Sequence, residues 1–192
     1  MNMKSDLKDI SVHDDFLTDD ECKYIIVLSE TVFEPSKLMG EENFVGFGRS
    51  SRSAFLTFRE DKVLNDIRKR ASELINLPES HFEFFQCVSY DVGQEYAHHF
   101  DTFDPRIESQ RKQIEEWGQR KYTLLAYLND DFEGGETQFP NANLLVKPKK
   151  RSVVVFNNLD ENENVLPSAF HAGLPVTKGR KYAMNIWVRT NP

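Results

Sequence analysis

The sequence predicts a double-sheet jelly roll with helices packed on one sheet, an α+β architecture that is mainly β with a double-stranded β-helix core. Two stretches with helical periodicity come early, before residue 79. A succession of short β-rich stretches follows, with Gly, Pro, Asn and Asp turn signals between them. No internal repeat interrupts that order. The 192 residues fit one domain, with 1–79 as helical support and lid and 80–192 as the jelly-roll core.

Residues 1–15 are polar and read as extended or frayed. Thr18 is placed to cap a helix over Asp19 to Glu30, and Glu21 three residues on completes a capping box. Cys22, Ile25, Ile26 and Leu28 give that helix apolar positions. Residues 35–53 (PSKLMGEENFVGFGRSSRS) are rich in Gly, Ser and charge, and read as a long loop or hairpin of the kind that serves as a lid. SAFLTF at 53–58 predicts a short strand. From Asp61 to Leu77, the residues Val63, Leu64, Ile67, Ala71, Leu74 and Ile75 form a helical stripe that Pro78 ends.

From His81 the pattern turns β-rich and runs into the stretch Tyr90 to Phe103, which reads as strand. Residues 104–120 are charged and polar, with room for a helical turn, and are placed to form a flap. Further strands are expected at Tyr122 to Leu128, Thr137 to Phe139, Asn143 to Val146, Ser152 to Phe156, Ala169 to Ala172 and Lys181 to Val188. Between them lie the turn 129–135 with Gly134 and Gly135, the basic turn 147–151, the acidic loop 157–167 and the turn 178–180.

Composition narrows the function classes. Hydrophobic residues make up 39% and charged residues 29%, and 15 phenylalanines point to an aromatic-rich core. No apolar run reaches the ~18 residues a membrane span needs, and MNMKSDLKDI carries no secretory h-region. Cys22 and Cys87 stand far apart in apolar surroundings and read as buried thiols. These features together predict a cytoplasmic protein. A net charge of −7 argues against a nucleic-acid partner, and the basic run 147–151 reads as a solvated hairpin turn.

The chemistry centres on YDVGQEYAHHFDTF, residues 90–103. On a strand, side chains alternate faces, so His99 and Asp101 point the same way and His98 points away. One imidazole and one carboxylate form two-thirds of the 2-His-1-carboxylate arrangement of non-haem Fe(II) oxygenases. Of the five histidines, His171 in the last β region is the best third ligand. Three protein ligands on Fe(II) leave three positions for O2 and a bidentate cosubstrate. If that cosubstrate is 2-oxoglutarate, its distal carboxylate needs a buried cation or hydroxyl donors. Lys181, one turn and one strand beyond His171, can supply the cation, and Thr137 and Tyr90 can supply hydroxyls.

At this point the chain resembles the prolyl 4-hydroxylase-type 2-oxoglutarate- and Fe(II)-dependent dioxygenases. The matching pieces are Tyr90-x-x-Gly-Gln-x-Tyr96 before His99-x-Asp101, then Arg120-x-x-Thr-x-x-x-Tyr-Leu-Asn129, Gly134-Gly-Glu-Thr137-x-Phe-Pro140, His171-Ala-Gly-x-Pro-Val, Gly179-x-Lys181 and Trp187. They span roughly 80–190 in the family's order. The resemblance implies a jelly roll preceded by helices, with His99, Asp101 and His171 on iron. It implies Lys181 on the distal carboxylate of 2-oxoglutarate, assisted by Thr137 and Tyr90. It places Tyr96, Arg120 and Trp187 on the substrate side, with Arg189 as a further candidate. The implied reaction uses O2, with ascorbate as reductant, and yields succinate and CO2. Its implied substrate is a proline in a peptide or protein. The loop before Arg120, the segment 149–152 and the N-terminal lid depart from the family pattern.

Two other readings compete. One is a hydroxylase of another residue or of a free amino acid or other small molecule. The other is a non-catalytic jelly-roll binding module that keeps a metal site, which the full ligand set and Lys181 disfavour.

Overall fold

The computed structural model describes residues 8–36, 50–58 and 60–192, so most of the predicted lid, 37–49, lies outside the described residues. In chain order the elements are β1 (Ile10–His13), α1 (Asp19–Glu30), β2 (Glu34–Pro35), β3 (Arg52–Leu56), α2 (Lys62–Ile75), β4 (Phe85–Tyr90), β5 (Tyr96–His99), α3 (Glu108–Trp117), β6 (Arg120–Tyr127), β7 (Glu133–Gly134), β8 (Thr137–Phe139), β9 (Leu144–Val146), β10 (Val153–Asn157), β11 (His171–Gly173), β12 (Val176–Lys178) and β13 (Lys181–Arg189).

Local chemistry accounts for both N-terminal helices. Glu21 N–H donates to the Thr18 hydroxyl, while Thr18 N–H donates to the Glu21 carboxylate, closing the predicted capping box at the start of α1. Asp61 caps α2 by accepting from Leu64 N–H, and Leu64, Ile67 and Ala71 form its buried stripe. The helix ends at Ile75, ahead of Pro78, because Asn76 takes a left-handed conformation at φ 53°.

A seven-stranded sheet in the order β1-β10-β6-β13-β4-β3-β2 faces a four-stranded sheet in the order β5-β11-β8-β9, and β12 pairs with β7 in a small ribbon. Among the described residues, every ladder between these strands runs antiparallel. Strand alternation splits the large sheet into two faces. Its outer face presents Ala54, Leu56, Phe85, Cys87, Leu124, Ala126, Met184 and Ile186, which pack against Cys22, Ile25, Leu64 and Ile67 of the helices. Its inner face presents Val88, Tyr90, Leu125, Tyr127, Val154, Phe156 and Ala183, which meet Phe139 and Val146 of the small sheet. Phenylalanines anchor both layers, and both cysteines are buried free thiols. Among the described residues, no helix is long and apolar enough to cross a membrane.

Several expectations change. Residues 10–13 form β1, an edge strand paired with β10 through Ile10 and Phe156. Their polar look arises because this edge strand buries little beyond Ile10. Residues 108–117 form α3, a helix with no buried residue, so it lacks the apolar stripe that identifies a helix in sequence. Within 90–103 only Tyr90, the end of β4, and Tyr96–His99 are strand, and Asp101 lies beyond the strand end. The two-residue strands β2 and β7 and the strand β12 are too short for a periodic signal. The basic turn is partly tied down: Lys149, Lys150 and Arg151 pair with Asp14, Asp19 and Asp15.

Phe85 is fully buried where α2 meets the large sheet and packs edge-on against Phe58. Phe85→Ala should therefore destabilise the protein by about 3–5 kcal/mol in denaturant unfolding, through lost burial plus the cavity left behind. A loss under about 1 kcal/mol would contradict this packing.

Candidate active site

The antiparallel pairing of β11 with β5 sets His171 directly opposite His99. Asp101 follows two residues after His99 and turns back toward both rings. His99 Nε2 lies 3.3 Å from Asp101 Oδ1, and His171 Nε2 lies 4.0 Å from the same oxygen. The three potential ligand atoms all fall within 4.8 Å of one another. His98 points to the other face, where its Nε2 lies 3.0 Å from Gln138 Oε1 and its ring stacks on Phe170.

Both histidines are oriented by the same device. His99 Nδ1 lies 2.8 Å from the Ala97 carbonyl, and His171 Nδ1 lies 2.8 Å from the Ala169 carbonyl. A carbonyl only accepts, so each Nδ1 carries the proton, and in the neutral ring each Nε2 keeps a lone pair aimed at Asp101. Burial, with His99 nearby, pushes the His171 imidazole down to about 4. Burial alone would raise the Asp101 carboxyl, but His171, His99 and Arg120 outweigh it and hold the group well below the usual carboxylate range. Two imidazole nitrogens and one carboxylate oxygen, mutually facing, form a donor set that suits Fe(II).

The cleft at this cluster is lined by Tyr90, Tyr96, Thr137 and Lys181 in addition to the three metal-ligand candidates. Lys181 opens β13 opposite Tyr90 of β4. Its Nζ donates to the Gly135 carbonyl at 2.7 Å and sits about 5.5 Å from the Tyr90 and Tyr127 rings. Burial pushes this amine down to about 8, with Glu136 opposing weakly. Gly135 makes the contact possible: its φ is +68°, and a Cβ there would meet Lys181 Cδ at 3.1 Å. The Thr137 hydroxyl is hydrogen-bonded to Tyr127 Oη at 2.7 Å. Tyr96 lies against His99, with ring centroids 3.6 Å apart.

Arg120 and Trp187 sit elsewhere. Neither lines the cleft; Arg120 reaches the Asp101 backbone, and Trp187 stacks on Arg120. Arg120 Nε and Nη2 donate to the two oxygens of Glu83 at 2.7 and 2.8 Å, and Nη1 donates to the Asp101 carbonyl at 3.2 Å. Its guanidinium stacks 3.5 Å over Trp187 and 4.5 Å over Phe103. Arg189 Nε comes within 2.5 Å of Glu83, and its Nη1 donates to the Gly118 carbonyl beyond α3. Arg120 is thus tied to Glu83 and to the backbone of the Asp101 segment. Glu83, Thr123, Tyr127 and Asn158 went unassigned in the sequence. Thr123 and Tyr127 fall inside the quoted Arg120-to-Asn129 motif, so their position carried a signal, whereas Glu83 and Asn158 had none.

A jelly roll with two histidines and one carboxylate converging at one end of a cleft, and a buried lysine at the other, defines a non-haem iron dioxygenase type of site. Comparison with known proteins agrees. Residues 85–189 match the family model of the 2OG-Fe(II) oxygenase superfamily. The probable prolyl 4-hydroxylase 10 of Arabidopsis thaliana is 33% identical over 203 residues, covering 94% of this chain and 68% of that protein. Prolyl 4-hydroxylase 5 of the same plant is 32% identical over 200 residues, covering 92% and 66%, so the chain spans about two-thirds of the length of these relatives. Among solved structures, a viral collagen prolyl hydroxylase from Paramecium Bursaria Chlorella virus-1 in complex with 2OG superposes with a TM-score of 0.74 at 28% identity, covering 97% of this chain and 98% of that one. A Trichoplax adhaerens prolyl hydroxylase shares the fold, with a TM-score of 0.69 at 18% identity over 94% of this chain and 83% of that one. The chain belongs to the 2OG-Fe(II) oxygenase superfamily, as a 2-oxoglutarate-dependent dioxygenase of the prolyl 4-hydroxylase type. Its cofactors are Fe(II) and 2-oxoglutarate.

The largely buried Glu83–Arg120 pair makes a stability prediction. Arg120→Ala would leave the Glu83 carboxylate facing Arg189 alone and should cost about 3 kcal/mol in denaturant unfolding. Arg180→Ala, which removes the half-exposed pair with Asp91, should cost under about 1 kcal/mol.

Proposed function

We propose that this enzyme hydroxylates C4 of proline residues in a peptide or protein, with succinate and CO2 as co-products. The observation that carries the reading is the single cleft with two chemically distinct ends: the His99, Asp101 and His171 cluster at one and the Lys181 ammonium at the other. In this reading His99 Nε2, Asp101 Oδ1 and His171 Nε2 hold Fe(II), which activates O2 when bound. The Lys181 ammonium receives the distal carboxylate of 2-oxoglutarate, and the Thr137 and Tyr90 hydroxyls add donors to it. Thr137 can turn its proton outward because Tyr127 Oη can donate to it from behind. Tyr96, at the cleft wall beside His99, contacts the substrate. Arg120 and Trp187 form the rear of that substrate side, with Arg120 donating to the Asp101 backbone carbonyl and Trp187 stacked on Arg120. Residues 1–79 and 80–192 act together as one domain, the former supporting the sheet that carries Lys181.

The direct test is incubation of iron-loaded protein with 2-oxoglutarate, ascorbate and a proline-rich peptide library, read by mass spectrometry. A +16 Da shift on proline is expected. Such a shift on another residue, or succinate formation only with a free amino acid, would replace the prolyl assignment. No succinate under any condition would remove the enzymatic reading. His99→Ala, Asp101→Ala and His171→Ala should each abolish turnover, and an active His171→Ala variant would mean that the third ligand lies elsewhere.

Lys181 predicts a pH dependence. Its amine is charged below about 8 and neutral above, and only the charged form pairs with a carboxylate. The KM for 2-oxoglutarate should therefore be flat in the acid direction and rise about tenfold per pH unit above that value. Lys181→Ala should raise KM by about thirtyfold or more, flatten its pH profile and leave metal affinity intact. An unchanged KM would remove Lys181 from this role.

A further inference from the structure

We propose that Thr123, oriented by Asn158, is a positioning residue that occupies one carboxylate oxygen of Asp101 and so leaves only the other for a metal. The inference rests on the assignment of Asp101 as an iron ligand made above.

Thr123 lies on the inner face of β6 and is buried, as is Asn158 just past β10. The Thr123 hydroxyl donates to Asp101 Oδ2 at 2.7 Å, and Asn158 Nδ2 donates to Thr123 Oγ1 at 2.9 Å. The direction of this chain is fixed at its end. An ionised carboxylate only accepts, so Thr123 must spend its one proton on Asp101 and must itself accept from Asn158. If the Asn158 amide were turned around, its oxygen would compete for that proton. The observed orientation leaves Asn158 Oδ1 buried without a hydrogen-bond partner, a cost that goes with aiming the NH2 inward. The Asn158 backbone is pinned on both sides: its N–H donates to the Lys121 carbonyl at 2.8 Å, and its own carbonyl accepts from Leu166 N–H at 2.9 Å.

The consequence concerns which oxygen faces the site. Oδ1 is the atom near both imidazoles, while Oδ2 is turned toward Thr123. A carboxylate can bind a metal through one or both oxygens. With Oδ2 engaged, Asp101 offers one. A six-coordinate ion held by His99, His171 and Oδ1 then keeps three positions, enough for a bidentate 2-oxoacid and O2. A carboxylate free to bind through both oxygens would close one of them. Hydrogen-bonded partners of ligating groups of this kind tune metal affinity.

The test uses Co(II), whose visible ligand-field absorption reports both affinity and coordination, titrated into the full chain and into variants. Thr123→Val keeps the shape and removes the hydroxyl. It should weaken Co(II) binding about ten- to a hundredfold and change the ligand-field spectrum. Thr123→Ser should restore both, because the hydroxyl returns without the methyl group. If Thr123→Val binds Co(II) with unchanged affinity and spectrum while Asp101→Ala does not bind, the positioning role is overturned and the ligand assignment stands. If Asp101→Ala binds as tightly as the parent chain, the ligand assignment itself fails and takes this inference with it. Should Thr123→Val not fold, Asn158→Ala supplies the reading. It should shift the spectrum in the same direction, and an unchanged spectrum would overturn the proposal.

Discussion

The buried carboxylate of Asp101 is the charge on which the rest of the site depends. Burial opposes its ionised form, so the fold must supply compensation from several directions at once. Thr123 donates to it from the inner face of β6, and Arg120, at the start of that strand, lowers its proton affinity. His99 arrives along the same segment and His171 across the β5–β11 pairing, so the three-membered donor set forms only when β5 and β11 are in register. A one-residue slip between them would turn His171 away and break that set. The metal site is thereby tied to the correctness of the fold.

Behind Asp101 lies a second, fully protein-made charge cluster. The guanidiniums of Arg120 and Arg189 are sandwiched with the Trp187 and Phe103 rings and share Glu83. Both guanidiniums converge on the one carboxylate of Glu83, and Arg120 also donates to the Asp101 backbone carbonyl. Burial would raise the Glu83 carboxyl, but Arg120 and Arg189 prevail and hold it low. The aromatic sandwich makes the cluster stiff, because a guanidinium gripped between rings has few rotamers left. That stiffness reaches Asp101 through its backbone carbonyl rather than its side chain.

The motifs of the candidate site were legible because each sits where a short chemical signal survives: a histidine and a carboxylate two apart, a lone histidine in a β region, a lysine after a tight turn. The helices α1 and α2 were legible through the Thr18 capping box and the stripe of Leu64, Ile67 and Ala71, whose periodicity reflects burial on one face. The edge strand β1 and the helix α3 were hidden for the complementary reason. One buries little beyond Ile10 and the other buries nothing, so neither imposes a pattern. The role of Arg120 was hidden differently. Its partners Glu83, Trp187 and Arg189 are distant in sequence and meet only through the β6–β13 ladder and the turn before β4. A substrate contact and an internal ion pair place the same demand on a single arginine in one sequence.

Lys181 carries a buried positive charge. Among the described residues no carboxylate pairs with it at hydrogen-bond distance, its Nζ reaches a backbone carbonyl, and burial lowers its proton affinity. Placed against Asp101, this asymmetry specifies the missing charges. A metal dication beside the Asp101 carboxylate would leave one positive charge, and the Lys181 ammonium would add a second. A dianion spanning the cleft would cancel both. A dicarboxylate with a keto group at its metal end has that charge, and the two ends of the cleft offer the matching contacts. A monocarboxylate would leave one positive charge uncancelled. In the proposed reading, selectivity for 2-oxoglutarate is thus an electrostatic property of the whole cleft, set by one buried lysine and one buried aspartate of opposite sign. In that reading a prolyl residue, being neutral, enters without disturbing the balance.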